Sequence, residues 1–437
     1  MSTPASARPD PHRNTVLGML LVVYIFNFVD RQILSILAAP IQADLQLSDS
    51  EMGMLGGLAF ALLYSTMAVP LAALADRTSR SWVIAVSLAA WSGFTALCGL
   101  AQNFWHIFLA RVGVGIGEAG GVAPSYALIG DYFPSEKRAT ALSVYSLGIP
   151  IGSGLGVLMG GYIAATVNWR AAFFAVGLAG ILIVPIFKVL VRDKIRRQAA
   201  ADMAAGLQAE VQGQTPPAKP QQPSLKETAA VLARKRSFWF LSFGAAMSSM
   251  LGYGIAFWLP SLLMRSFGFD LVQASQFFGA LLLIGGVAGV MAGGLLADRL
   301  GGRDRAFYSW LPGIGFFLGA PLFAAGISSN NAQLAFVLFL LPQALAYVWL
   351  GPVLSAIQHL VVPAARATAS ALFLLINNFI GLGGGIYALG ALSDVLTPMY
   401  GDEALRYSML YSLALYAVAA LLMAMAGPSL RRDWVAE

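Results

Sequence analysis

Charge is what this sequence is short of. Only 11% of its 437 residues are charged, 27 Lys+Arg and 21 Asp+Glu, against about 25% in an ordinary soluble domain. So little charge cannot cover a water-exposed surface, which excludes a soluble enzyme, a nucleic-acid-binding domain and a disordered chain. Cysteine occurs once, as Cys98, so neither an intramolecular disulfide nor a thiolate metal cluster can form. The three histidines (His12, His106, His359) have no ligand spacing. No metal site and no cofactor are expected. The first fifteen residues are polar and Pro-rich, without the apolar core and small-residue cleavage site of a signal peptide. What is abundant is hydrophobic side chain, 58% of the chain. A membrane-spanning helix uses about 20 apolar residues, so this supply suffices for roughly a dozen.

Apolar runs bounded by charges and turn residues place spans near 16–42, 50–75, 81–101, 104–130, 138–165 and 169–191, then 237–266, 271–297, 306–327, 332–362, 366–395 and 405–427. They are expected to be helices: an open strand leaves backbone groups unpaired in hydrocarbon, and barrel strands alternate polar and apolar residues over about ten positions. Connections on the N-terminal side carry Arg77 and Arg80, Lys137 and Arg138, Arg192, Lys194, Arg196 and Arg197, Arg299, Arg303 and Arg305, then Arg366, with Arg431 and Arg432 in the tail. The opposite connections carry only Arg170, Arg265 and Arg406. Lys and Arg stay in the cytoplasm. Both termini are therefore expected to be cytoplasmic, in an inner or plasma membrane. The domain plan follows: a tail at 1–15, a six-helix bundle at 16–191, a linker at 192–236, a second bundle at 237–427 and a tail at 428–437. The linker is rich in Ala, Gln and Pro, which reads as flexible. Its end, Lys226 to Arg236, reads as a short amphipathic helix on the membrane surface.

The halves repeat each other. Ala75-Asp76-Arg77-Thr78-Ser79-Arg80 follows the second span, and Ala297-Asp298-Arg299-Leu300-Gly301-Gly302-Arg303 follows the eighth. Parallel repeats about an axis along the membrane normal are a transporter architecture. This pattern resembles the major facilitator superfamily, whose gating motif the Asp-Arg loops match. Arg111-Val112-Gly113-Val114-Gly115-Ile116-Gly117-Glu118-Ala119 is similar to its fourth-span motif, and Gly148-Ile149-Pro150-Ile151-Gly152-Ser153-Gly154 to its fifth-span motif. Asn27-Phe28-Val29-Asp30-Arg31 with Gly117-Glu118-Ala119 and Ile149 to Gly156 most resembles the Spinster lineage. Ala72 and Ser79 stand where the superfamily usually has Gly. The resemblance implies an all-α membrane protein, twelve helices in two pseudo-symmetric six-helix bundles, carrying lysolipids or sphingosine-type lipids.

Four charges should not lie where they do: Asp30 and Arg31 in the first span, Arg111 and Glu118 in the fourth. A charge at the bilayer centre costs at least ~2.5 kcal/mol unless paired or hydrated. Asp30 lies about 14 residues, roughly 21 Å, into its span. Arg111 and Glu118 are seven residues apart and share a helix face, which Ser125 continues; Asn27 and Arg31 are neighbours at i, i+4. A proton relay is expected, with Asp30 or Glu118 as carrier and Arg31 and Arg111 as switching counter-ions or holders of an anionic head group. The competing reading is a static ion-pair network that fixes helix packing. Asp76, Arg77, Arg80, Asp298 and Arg299 are expected to gate the cytoplasmic side.

Gly115 to Gly120 spells the G-x-G-x-x-G dinucleotide fingerprint, but it lacks the preceding strand and soluble βαβ unit that motif needs. Small residues here should allow close helix approach, and Pro150 should bend the fifth span. Asn27, Ser125, Tyr253, Trp258, Asn377 and Asn378 are expected to line the central cavity. A charged first half facing an aromatic second half suits an amphiphile. The expected function is proton-coupled transport by alternating access, by a monomer whose partners are a small-molecule or lipid substrate, protons and membrane lipids. A carrier of small organic anions and a non-transporting receptor stay open as alternatives. No enzyme constellation is visible.

Overall fold

The computed structural model describes residues 12–133, 135–191, 223–301 and 304–435. Residues 192–222, most of the expected linker, lie outside this range, as do the side chains of Asp76 and Asp298. The described elements are all helices. Long apolar stretches run over Arg13–Ile36, Asp49–Ala75, Arg80–Cys98, Phe104–Tyr132, Thr140–Thr166 and Trp169–Leu190 in the first half. Arg236–Ser266, Leu271–Ala292, Phe307–Ile327, Ala332–Gln358 and Thr368–Asp433 follow in the second. The last stretch reverses at Gly401, whose φ is +55°, and so holds two spans, giving six per half.

Local chemistry sets the turns. Spans 2, 4, 6, 8 and 10 begin on the face opposite the termini, each behind a side-chain cap. Ser48 and Glu51 form a reciprocal capping box, as do Asp270 and Gln273. Asn103, Asn168 and Asn331 accept from the first free backbone N–H groups of their helices. These caps satisfy donors that hydrocarbon could not.

Several spans are interrupted. Span 1 breaks at Leu37, span 2 at Gly57, span 4 at Gly120–Gly121 and span 5 at Leu147. Spans 8 and 11 widen into π-helical turns at Leu282–Gly286 and Asn378–Gly384. Spans 3, 6, 7 and 9 run unbroken. Such irregularities leave backbone groups short of partners and so belong away from lipid. The expected bend of span 5 falls at Leu147, three residues before Pro150, which has no N–H to donate to the Ser146 carbonyl one turn back.

Glycines set the spacing. A Cβ on Gly115 would stand 2.5 Å from the Phe60 carbonyl oxygen, and one on Gly117 2.6 Å from the Trp91 backbone nitrogen. Span 4 is thereby pressed onto spans 2 and 3. Gly152 and Gly156 likewise meet the carbonyls of Ile25 and Val29, holding span 5 against span 1. Across the halves, span 1 meets span 7, span 2 meets span 11 and span 5 meets span 8.

The end of the expected linker is helical over Leu225–Ala233, with Thr228 and Leu232 buried. The last helix continues to Asp433, farther than the expected span end at 427, and is tied down. Ser237 Oγ donates to Asp433 Oδ2 (2.6 Å), Lys235 Nζ donates to the Asp433 carbonyl (2.6 Å), and Trp434 stacks on His359 at 4.3 Å. Arg431 Nε donates to Asp304 (3.0 Å) and holds that loop carboxyl down to about 2.

Candidate functional site

The four intramembrane charges of the first half meet at its centre as two crossed pairs. Arg31 Nε donates to Glu118 Oε2 at 2.6 Å, and Glu118 is fully buried. Arg111 Nη1 lies 3.7 Å from Asp30 Oδ1, each side chain only 2% exposed. Adjacent residues on span 1 project about 100° apart, so Asp30 and Arg31 reach different partners on span 4. Glu118 sits in the last turn before the break at Gly120–Gly121. Thr95 Oγ1 on span 3 donates to the other Asp30 oxygen at 2.5 Å.

The polar centre is under-satisfied. Asn27 Oδ1, Asp30 Oδ1, Glu118 Oε1 and Arg111 Nε and Nη1 are buried without a hydrogen-bond partner. Buried polar groups are normally paired, so these atoms mark a place where a proton, a water or a substrate group has work to do. Aromatic rings make up the rest of the surroundings. The Arg31 guanidinium lies 4.5 Å from the Tyr64 ring centre, 4.8 Å from Phe60 and 5.2 Å from Phe28. Arg111 lies 5.4 Å from Phe60, so both cations share that ring. A cavity of about 50 Å³ opens beside them. Arg31, Arg111, Phe28 and Phe60 form its first-half wall, and Tyr253, Phe257, Leu382 and Ile386 the facing wall. Gln32 crosses between the halves, donating to the Ala256 carbonyl at 3.1 Å.

A second polar cluster closes the face opposite the termini. Arg265 at the end of span 7 makes a two-pronged bond to Asp49 at the start of span 2, at 2.7 and 2.8 Å, and also donates to Gln42 Oε1. Ser393 donates to Asp49 at 2.7 Å. Asp394 accepts from the backbone N–H groups of Asp49 and Ser50 and from the Ser50 hydroxyl, so its charge sits at a helix N-terminus. These bonds join the two halves.

The profile of the Major Facilitator Superfamily matches residues 20–386. The chain belongs to the major facilitator superfamily. It is a Spinster-like member and a multi-pass integral membrane transporter rather than an enzyme. An MFS-type efflux pump of Mycolicibacterium smegmatis is 32% identical over the whole of both chains. A sphingosine-1-phosphate transporter of Danio rerio is 26% identical, over 88% of this chain and 77% of its own. The crystal structure of a bacterial homolog of the human lysosomal transporter Spinster, inward-facing and unoccupied, superposes with a TM-score of 0.84. It has 27% identity and covers 99% of this chain and 100% of that one.

For this Spinster-like transporter the structure brings Asp30, Arg31, Arg111 and Glu118 together. Of the expected lining residues, Tyr253 faces the cavity. The others do not line this cavity. Trp258 is fully buried and donates its indole N–H to the Ile386 carbonyl (2.9 Å). Ser125 donates to the Gly121 carbonyl of its own span, Asn377 accepts from Ser249, and Asn378 opens the π-helical turn of span 11. Asn27 is buried on span 1 away from the cavity wall. Ser125, Asn377 and Trp258 find their hydrogen-bond partners within their own halves, which spacing along one helix does not reveal. Of the expected gate, Arg77 and Arg299 are exposed, and Arg80 pairs with Asp131 of its own half at 2.6 Å. Asp76 and Asp298 lie outside the described side chains. Thr95 and the cluster around Asp49 were not anticipated. A hydroxyl in an apolar span carries no distinguishing signal, and Arg265 read only as a connection charge.

Proposed function

We propose that this transporter couples substrate movement to protons by alternating access and carries an amphiphilic, lipid-like substrate between its two halves. The carrying observation is the crossed pair of buried carboxylates and guanidinium groups at the cavity wall, with an unpartnered oxygen on each acid. Each carboxylate is stable either as an ion beside its Arg or as a neutral acid without it. A motion that separates Arg31 from Glu118, or Arg111 from Asp30, therefore favours proton uptake, and its reversal favours release. The cluster around Asp49 holds the opposite face shut, and the rocking of two repeats about a central site fits such a closure. The excess of Lys and Arg in the connections on the side of the termini supports a cytoplasmic location for both. The aromatic cavity wall suits the apolar part of an amphiphile.

A second reading, transport of small organic anions, draws on Arg111 beside the cavity, whose Nε and Nη1 make no hydrogen bond. Substrate-driven pH change in proteoliposomes tests the coupling. Asp30→Asn and Glu118→Gln should abolish it while leaving the thermal unfolding profile cooperative. Proton movement with substrate in both variants would remove the relay.

A further inference from the structure

We propose that the rings of Phe28, Phe60 and Tyr64, together with the Glu118 carboxylate, form a receptor for an alkylammonium head group, which Arg31 occupies when no substrate is bound. The inference rests on the reading of the adjoining cavity as the substrate site. Three aromatic faces within 5.2 Å of one cationic carbon, plus a carboxylate oxygen at 2.6 Å, are the elements of a cation receptor. Arg31 is an occupant that can leave. Its side chain is flexible and 14% exposed at the cavity wall, whereas Glu118 is fully buried and fixed on span 4. Phe28 and Phe60 line the same cavity, so a ligand reaches the receptor without crossing another layer.

Charge balance favours exchange over addition. Asp30 and Glu118 carry two negative charges, and Arg31 and Arg111 two positive ones. A cation added to this buried set leaves it with an excess charge, which a low-dielectric centre resists. A cation that displaces Arg31 keeps the centre neutral and sends the guanidinium to the wetter mouth of the cavity. Space points the same way. The cavity of about 50 Å³ has room for a few water molecules but not for a substituted ammonium group with its chain, so a head group fits only once Arg31 has moved. A proton on Glu118 releases Arg31 as well. Proton, Arg31 and substrate cation thus compete for one carboxylate, which yields exchange of a cationic amphiphile for a proton. The facing wall of Phe257, Leu382 and Ile386 takes the chain of such a ligand.

Binding of dodecyltrimethylammonium and of dodecyl phosphate to the full chain, purified in a non-ionic detergent, tests this by titration calorimetry. The wild type should bind the cation, and more weakly as the pH is lowered. Arg31→Ala should bind it at least tenfold more tightly, because the internal competitor is gone. Tyr64→Leu and Phe60→Leu should each weaken it roughly threefold or more, and Glu118→Gln should remove it. Arg31→Gln, closer in shape, replaces Arg31→Ala if that variant does not fold. Equal or weaker cation binding without Arg31, or wild-type preference for the phosphate, overturns the receptor while leaving proton-coupled transport standing. Cation binding without proton movement in vesicles keeps the receptor and removes the coupling. Failure of both the wild type and Arg31→Ala to bind the cation overturns the receptor and leaves the coupling to the proteoliposome measurement.

Discussion

Thr95 carries more of the polar centre than its residue type announces. Among the described residues, its hydroxyl is the one side-chain hydrogen-bond donor to Asp30, since Arg111 stands farther off at 3.7 Å. A hydrogen bond to an ionised group is worth about 1.5–3 kcal/mol, and a partner left unpaired in a buried place costs about as much. Thr95→Val keeps the shape and removes the donor. It should lower the unfolding temperature in detergent and slow proton-coupled uptake, whereas an unchanged melting curve would show that Asp30 does not depend on Thr95. The sequence gives no hint of this partner, because the 65 residues between Thr95 and Asp30 are closed only by the packing of spans 1 and 3. It does mark Asp30, Arg31, Arg111 and Glu118, because a charge in an apolar run stands out whatever surrounds it.

At the scale of the helix, small residues decide how near two spans come. The glycines of span 4 are not equivalent. A methyl on Gly115 meets the Phe60 backbone, which cannot move without shifting span 2. A methyl on Gly113 meets the ring of Phe94, which is 37% exposed and free to turn aside. On span 3, by contrast, Gly93 has open space around its Cβ position. Overpacking against backbone costs about 1–3 kcal/mol, and replacing an unconstrained helix Gly by Ala gains up to ~1 kcal/mol. Thermal-shift measurement should therefore rank Gly115→Ala as clearly destabilised, Gly113→Ala as mildly so and Gly93→Ala as neutral or improved. Equal melting of all three would remove backbone contact as the cause. The G-x-G-x-x-G spelling within this helix is thus a packing surface, a role legible from its apolar context. Which neighbour each glycine faces was not legible, since that depends on the rotation of span 4 against spans 2 and 3. The breaks at Leu37 and Gly120–Gly121 were equally hidden, because hydropathy sums over a window and passes smoothly across them, whereas Pro150 signalled the one at Leu147.

On the scale of the whole molecule, two halves meet through spans 1 and 7, 2 and 11, and 5 and 8, and one face is locked by Asp49, Arg265 and Asp394. Asp49→Asn removes the charge that Arg265 grips with both terminal nitrogens. Losing about 2 kcal/mol from one state changes a two-state ratio roughly thirtyfold. Spin labels at Gln46 and Met399, exposed on that face in opposite halves, should then report a longer distance population that the wild type lacks. An unchanged distance distribution would show that the lock does not hold the closure. Composition alone determined that the chain lives in a membrane, and apolar run lengths with the bias of Lys and Arg determined its span count and expected orientation. Both are sums over local segments, and no tertiary contact alters them. Tertiary structure alone decided which charge answers which: Glu118 takes Arg31, Arg111 stands by Asp30, and Arg265 leaves its own loop for Asp49. Such pairings depend on the rotation and register of helices distant in sequence, and those are fixed by packing between spans rather than by the residues of any one of them.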